Sequence, residues 1–243
     1  MHRPRVYHSG QLQTGRDFAL DVASSHHLAR VLRLTPGDSI SLFDGTGGEY
    51  RGVVRSIDRG VVRVRSEAFD PVERESALPV GLAQIVSSGE RMEFTVRKAV
   101  ELGVAWIQPL TGRRGKVRLA GERAERRIAH WQRVVTAACE QCGRNRVPAV
   151  RPLIDLVDWL GEVPRTPQRL ILEPNAERSL SAAGPFAGAV TLLAGGESGF
   201  APEENEAAVF SGFVPVHLGP RVLRTETAGL AALAAIQALW GDL

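Results

Sequence analysis

Lysine is almost missing from this sequence: two Lys stand against twenty-eight Arg. Cysteine is as scarce, with Cys139 and Cys142 the only pair. They form a CxxC inside a helical pattern, and no second Cys or His pair lies nearby to complete a tetrahedral zinc site. The spacing therefore reads as two helix residues, with no metal. No apolar run approaches the roughly 20 residues that a membrane span needs. The first ten residues, MHRPRVYHSG, lack the apolar stretch of a signal peptide. These absences predict a cytoplasmic protein without a membrane partner. The P-loop pattern GxxxxGK[ST] is absent, and so is the dinucleotide fingerprint GxGxxG.

What is present is a charge asymmetry. The net charge is only +3. From Thr111 to Arg151, however, ten Arg and one Lys face three Glu, whereas from Pro152 to Leu243 five Arg face eleven acids. A single-sign block is usually a solvated face. Built from Arg, which forks onto phosphate and stacks on bases, it is equally a footprint for nucleic acid.

Two textures divide the 243 residues. Up to about residue 70, SISLFDG (Ser39–Gly45), EYRGVVRSI (Glu49–Ile57) and GVVRVRSEAF (Gly60–Phe69) read as short strands around glycine turns, which suggests a small barrel. SSHHLARVLRL (Ser24–Leu34) has helical spacing, with Ser24 or Ser25 as its cap. Past a boundary near residue 72, short apolar runs alternate with helical patterns. The runs are VGLAQIV (Val80–Val86), VAWIQPL (Val104–Leu110), RLILE (Arg169–Glu173), AVTLLAG (Ala189–Gly195) and VPVHLG (Val214–Gly219). The helical stretches are Arg91–Gly103, about Glu122 to Cys142, and about Glu226 to Trp240. Strands alternating with helices predict an α/β fold with a mostly parallel sheet covered on both faces.

In such sheets ligands bind beyond the carboxyl ends of the strands. Three exits stand out: PNAERS after RLILE, GGESGF (Gly195–Phe200) after AVTLLA, and GPRVLRTET (Gly219–Thr227) after VPVHL. One glycine loop alone is a turn. Three unusual loops on strand ends, two of them opening on glycine, point to a shared pocket. In the last loop, Arg221 and Arg224 precede the almost wholly apolar AGLAALAAIQALW, which must be a buried helix. Its cap is expected at Thr225 or Thr227, with Glu226 favourable beside it. Two Arg at a buried edge need acceptors. These are either the carboxylates Glu173, Glu197 and Glu226, or a ligand.

HHLARVLRLTPGD followed by LFDGTGGEY, then RKAVELGVAWIQPL, WQRVVTAACEQCGRNRVPAV and LGPRVLRTETAGLAALAAIQALWGD, together resemble the RsmE family of 16S ribosomal RNA uridine-N3 methyltransferases. These are members of the SPOUT superfamily. The match spans nearly the whole chain. It implies a PUA-like β-barrel domain over residues 1–72 and a SPOUT domain over 73–243 with a C-terminal trefoil knot. It implies a homodimer, S-adenosyl-L-methionine (SAM) as cofactor, and N3 of one uridine, position 1498 of 16S rRNA in the 30S subunit, as target. Carried over, the cofactor contacts fall on Leu172, Glu173, Gly195, Gly196, Glu197, Leu218, Gly219, Val222, Leu223 and Arg224. Arg224, with Arg221 as alternative, would stabilise charge on a uracil carbonyl. The proton acceptor is Glu226, a neighbouring group or water. RNA would be held by Arg3, Arg30, Arg33, Arg113, Arg114, Arg118, Arg144 and Arg146, with a steep salt dependence.

The family reads GPEGGF where this chain reads GGESGF, so Gly196 replaces Pro and Ser198 replaces Gly. Loss of Pro loosens the loop, and Ser198 fits only if its φ is negative. Two competing readings follow. One is a non-catalytic RNA-binding module with a degenerate cofactor site. The other is a related enzyme acting on another RNA.

Overall fold

The computed structural model describes residues 3–115, 117, 119–162 and 166–243. The chain forms two compact units, Met1–Glu75 with Cys139–Val147, and Ser76–Ala138 with Pro148–Leu243.

The first unit carries β1 (Arg5–Tyr7), β2 (Asp17–Ala19), α1 (Val22–His26), β3 (Ser39–Phe43), β4 (Glu49–Asp58) and β5 (Val61–Asp70). The strands lie in the order β1-β3-β4-β5-β2. Pairing is antiparallel except between β1 and β3. Strand β5 shows the cause: Val62, Val64 and Ser66 point inward while Arg63 and Arg65 face water, the period-2 alternation of a half-buried strand. The core gathers Leu12, Leu28, Ile40, Leu42, Val54 and Val64.

The expected 24–34 helix is corrected. Asp21 caps it, accepting from Ser24 N at 2.8 Å and Ser24 Oγ at 2.9 Å. Ser25 is instead buried, donating to Leu20 O and accepting from Val62 N. The helix widens into a π turn over His27–Val31 and stops before Arg33, whose φ is +55°.

The segment Cys139–Val147 belongs to this unit through polar ties that a pass along the sequence does not show. Arg144 is buried, and its guanidinium pairs with Glu75. Arg146 pairs with Glu73 at 2.5 Å. Burial opposes the effect, but the hydrogen bond from Arg146 holds the Glu73 carboxyl below its ordinary value. Asn145 donates to Val72 O at 2.8 Å and accepts from Arg5 at 2.6 Å. Arg74 donates to Gly143 O, and Tyr7 N donates to Glu140. The CEQCGRNRVP signature is therefore a seam of this unit. Cys139 is buried, and burial pushes its thiol up to about 12. That suppresses the thiolate on which redox and metal chemistry depend.

The second unit carries β6 (Val80–Ile85), α2 (Glu90–Glu101), β7 (Val104–Thr111), α3 (Gly121–Cys142, its last turn within the first unit), β8 (Ala149–Val150), β9 (Ile154–Asp155) and α4 (Leu156–Glu162). It continues with β10 (Gln168–Leu172), α5 (Leu180–Ala183), β11 (Val190–Ala194), α6 (Pro202–Phe210), β12 (Val214–Val216) and α7 (Thr225–Trp240). The strand order is β12-β10-β11-β6-β7-β8, with β9 also on β7, and every pairing is parallel. Strands β6 and β11 are buried at every position, as parallel strands covered on both faces must be. On one face Ile85, Leu110, Leu156, Trp159, Leu193 and Phe213 form a core with α4 and α6. On the other, α7 packs against α2, β11 and β6. Helix α7 buries Gly229, Leu230, Leu233 and Ile236 along one side. Its opposite side, with Ala234, Ala235, Ala238 and Leu239, is half-buried or exposed.

Candidate functional site

The exits of β10, β11 and β12 converge on one cavity of about 640 Å³ in the second unit, within the usual range for a small-molecule site. Every residue carried over to the cofactor set lines it: Leu172 and Glu173, then Gly195, Gly196 and Glu197, then Leu218, Gly219, Val222, Leu223 and Arg224. Arg221, Glu226 and Arg114 line it as well. Topology accounts for this. Strands β12, β10 and β11 are parallel neighbours, so loops far apart in sequence leave the sheet at the same edge.

An ion-pair network would join Arg221 and Arg224 to the nearby carboxylates. Glu197 is held by Arg91 at 2.6 Å and by Ser88 Oγ at 2.6 Å. Glu173 accepts from Asn205 at 3.2 Å. Neither Arg221 nor Arg224 makes a side-chain hydrogen bond or ion pair among the described residues. Both are exposed at the rim. Glu226 keeps Oε2 shut from solvent with no hydrogen-bond partner. Two free guanidiniums and a carboxylate with spare accepting capacity are what a polar ligand site needs.

Arg224 itself occupies the N-cap of α7, correcting the expectation of a Thr cap, and its side chain makes no capping bond. Thr225 is instead buried, and its hydroxyl donates to Gly195 O at 2.8 Å. The helix apex therefore leaves the Arg224 side chain unspent. The GGESGF loop closes on itself through Gly199 N to Gly196 O at 3.1 Å. Positive φ falls on Gly199, at +66°, and not on Ser198. The departure at Ser198 therefore carries no backbone strain.

Several lining residues escaped sequence reasoning. Arg91 follows Gly89 at a fourth strand exit, that of β6, a signal present but not used. His217 directly follows β12, and its Nδ1 accepts from Gly219 N at 3.0 Å. That bond places the neutral ring's proton on Nε2. Gly219 has φ +104°, and a Cβ there would meet nothing within 4 Å, so the backbone borders open space.

The expected RNA residues separate. Arg3, Arg30 and Arg33 in the first unit, and Arg113 and Arg114 in the second, are exposed with no side-chain partner among the described residues. Arg144 and Arg146 are committed to Glu75 and Glu73. Arg118 lies outside the described residues.

Comparison with known proteins matches this geometry. A model of the RNA methyltransferase domain fits residues 74–237, and a model of the RNA methyltransferase PUA domain fits residues 20–65. Ribosomal RNA small subunit methyltransferase E of Mycobacterium bovis is 34% identical, covering 93% of this chain and 88% of that one. That of Buchnera aphidicola from Schizaphis graminum is 31% identical, covering 99% and 98%. This chain belongs to the ribosomal RNA small subunit methyltransferase E family. The solved family member from Neisseria gonorrhoeae, bound to S-adenosyl methionine, superposes with a TM-score of 0.93 at 41% identity over 99% of both chains. A putative methyltransferase from Legionella pneumophila, solved with SAM, gives 0.96 at 37% identity over 100% of both. Membership makes the chain an RNA methyltransferase with an N-terminal PUA domain. No helix among the described residues is long and apolar enough to cross a membrane.

Proposed function

We propose that this protein methylates N3 of one uridine of 16S rRNA, position 1498, in the 30S subunit, with SAM as methyl donor. The observation that carries the reading is the pair of guanidiniums, Arg221 and Arg224, without a side-chain partner among the described residues, on a cavity that also offers glycine backbone, carboxylates and apolar side chains. The residues present suit SAM. Leu172, Val216, Leu218 and Val222 offer apolar surface for a purine, and Glu173 offers an acceptor for hydroxyl groups. When bound, SAM supplies an electrophilic methyl group on a sulfonium. Arg224, with Arg221 beside it, stabilises the negative charge that gathers on a uracil carbonyl as N3 loses its proton. Glu226 takes that proton. The walls fix the base in line, which supplies much of the rate.

The unit assignments complete the proposal. Residues 1–72, with Cys139–Val147 folded onto them, act as the PUA-like RNA-holding domain, and the remainder of residues 73–243 as a SPOUT domain with its knot. Arg3, Arg30, Arg33, Arg113 and Arg114 meet rRNA phosphates, and the enzyme works in the cytoplasm as a homodimer. The open Ala face of α7 is the surface that suits a second copy.

Incubating unmodified 30S subunits with labelled SAM is expected to place one methyl on that uridine N3. Label on a ribose or a cytosine would exclude the proposal. His217→Ala is expected to raise the SAM Kd about fivefold, since the Gly219 amide loses an acceptor worth roughly 1 kcal/mol. His217→Asn, which keeps an acceptor oxygen, should recover most of it. Equal Kd values for both variants and the wild type by calorimetry would remove His217 from the site.

A further inference from the structure

Strand β6 is a wholly buried run with one polar side chain of hydrogen-bonding reach, Gln84, only 1% exposed. Gln84 does not line the cavity. Its Nε2 lies 2.9 Å from Gly195 O, 3.1 Å from Thr225 Oγ1 and 3.2 Å from Ile85 O. The Thr225 hydroxyl in turn donates to the same Gly195 carbonyl at 2.8 Å. Gly195 opens the GGESGF loop, and Thr225 opens α7 directly after Arg224. Three elements, β6, β11 and α7, thus meet at one buried amide.

The orientation of that amide is fixed by chemistry. Turned over, Oε1 would face two carbonyl oxygens and no donor but the Thr hydroxyl. In the observed orientation Oε1 has no partner. It rests against Gly229 of α7, where a Cβ would come within 3.2 Å of it and of Leu82. An unsatisfied buried oxygen is costly, and a Gly inside a helix weakens it. Leucine in place of Gln84 would avoid the first cost. The arrangement makes sense if the bonds on the nitrogen side serve the site.

We propose that Gln84 is a positioning residue of the methyltransferase site. With Thr225 it forms a polar clasp that sets the separation between the Gly195 loop and the α7 N-terminus, and so the reach of Arg224 over the cofactor. This rests on the SAM reading of the cavity. Two independent loops bear on one ligand, so loosening their spacing weakens binding and misplaces the guanidinium together.

The test uses the full-length chain, with SAM titrated by calorimetry and methyl transfer measured on unmodified 30S subunits. Gln84→Leu is expected to raise the SAM Kd about tenfold and to lower kcat about tenfold, with KM for the 30S subunit unchanged. Thr225→Val, which keeps the shape and removes the hydroxyl, should do the same, and the double variant should lose little more than either alone. Gln84→Glu should behave like Gln84→Leu at high pH. It should approach wild type as pH falls, when the protonated carboxyl regains a donor for Gly195 O. A wild-type-like Kd and kcat in Gln84→Leu or in Thr225→Val, or a Gln84→Glu profile parallel to wild type, overturns the clasp. If Gln84→Leu does not fold, Thr225→Val and the Gln84→Glu profile decide alone. Wild-type protein that binds no SAM overturns the cofactor reading and this inference with it. Wild-type binding matched by all variants overturns only the clasp.

Discussion

Replacing Arg224 by alanine is expected to cut methyl transfer about 10²–10³-fold, far more than it weakens SAM binding, while leaving the fold intact, the loss typical of removing one donor aimed at developing negative charge. The expectation comes from how Arg224 sits. It is the N-cap of α7, but its side chain makes no capping bond. The helix draws on its backbone instead, with Thr227 N and Ala228 N donating to Arg224 O at 2.9 Å each. Alanine keeps that carbonyl, so the melting temperature should stay within about 1–2 °C, as for substitutions that break no named interaction. Lysine should recover only part of the activity, because it keeps the charge and loses the planar fork. Single-turnover transfer from labelled SAM, paired with calorimetry and a thermal melt, separates these effects. Full activity in the alanine variant would show that Arg224 is not the electrostatic catalyst. Lost activity with a lowered melting temperature would show that its role is structural.

The second large effect is expected away from the chemistry. Glu204 is a charged side chain only 1% exposed. One oxygen accepts from Ala201 N at 2.7 Å, closing the first turn of α6, and the other accepts from Arg113 N at 2.7 Å. Glu204 thus ties the loop after β7 to the start of α6, and the residue next to that tie, Arg114, lines the cavity. Glu204→Ala removes two hydrogen bonds to a charged group, each worth about 1.5–3 kcal/mol. A destabilisation of about 3 kcal/mol, or roughly 10 °C in Tm for a chain of this size, is the expected outcome. With Arg114 no longer anchored, KM for the 30S subunit should rise more than SAM Kd. A thermal melt within 2 °C of wild type would refute the structural part. An unchanged KM would refute the link to Arg114.

Much of the site is legible in the sequence. Leu172, Gly195, Gly219 and Arg224 sit at strand exits, two of them marked by glycine, and parallel sheets place ligands there. The two Arg before an apolar helix asked for acceptors. What remained open was whether Glu173, Glu197 and Glu226 were those acceptors. Three carboxylates and three Arg near one strand edge are interchangeable in a sequence. In the fold Glu197 goes to Arg91, which is 106 positions away along the chain, and Arg221 and Arg224 have no side-chain partner among the described residues. The basic block divides in the same way. Arg144 and Arg113 look alike in the sequence, yet one is buried against Glu75 and the other is exposed.

The sequence by itself determined the two textures, the parallel α/β sheet and the three loops, because period-2 alternation, buried apolar runs and turn residues at strand exits are local properties, and its motifs carried the resemblance to the family. Only the tertiary structure decided which charges are spent and which are free, and that one buried amide on β6 joins two loops. Ion pairs and hydrogen bonds act over a few ångströms, and those separations are set by strand order, which local patterns do not encode.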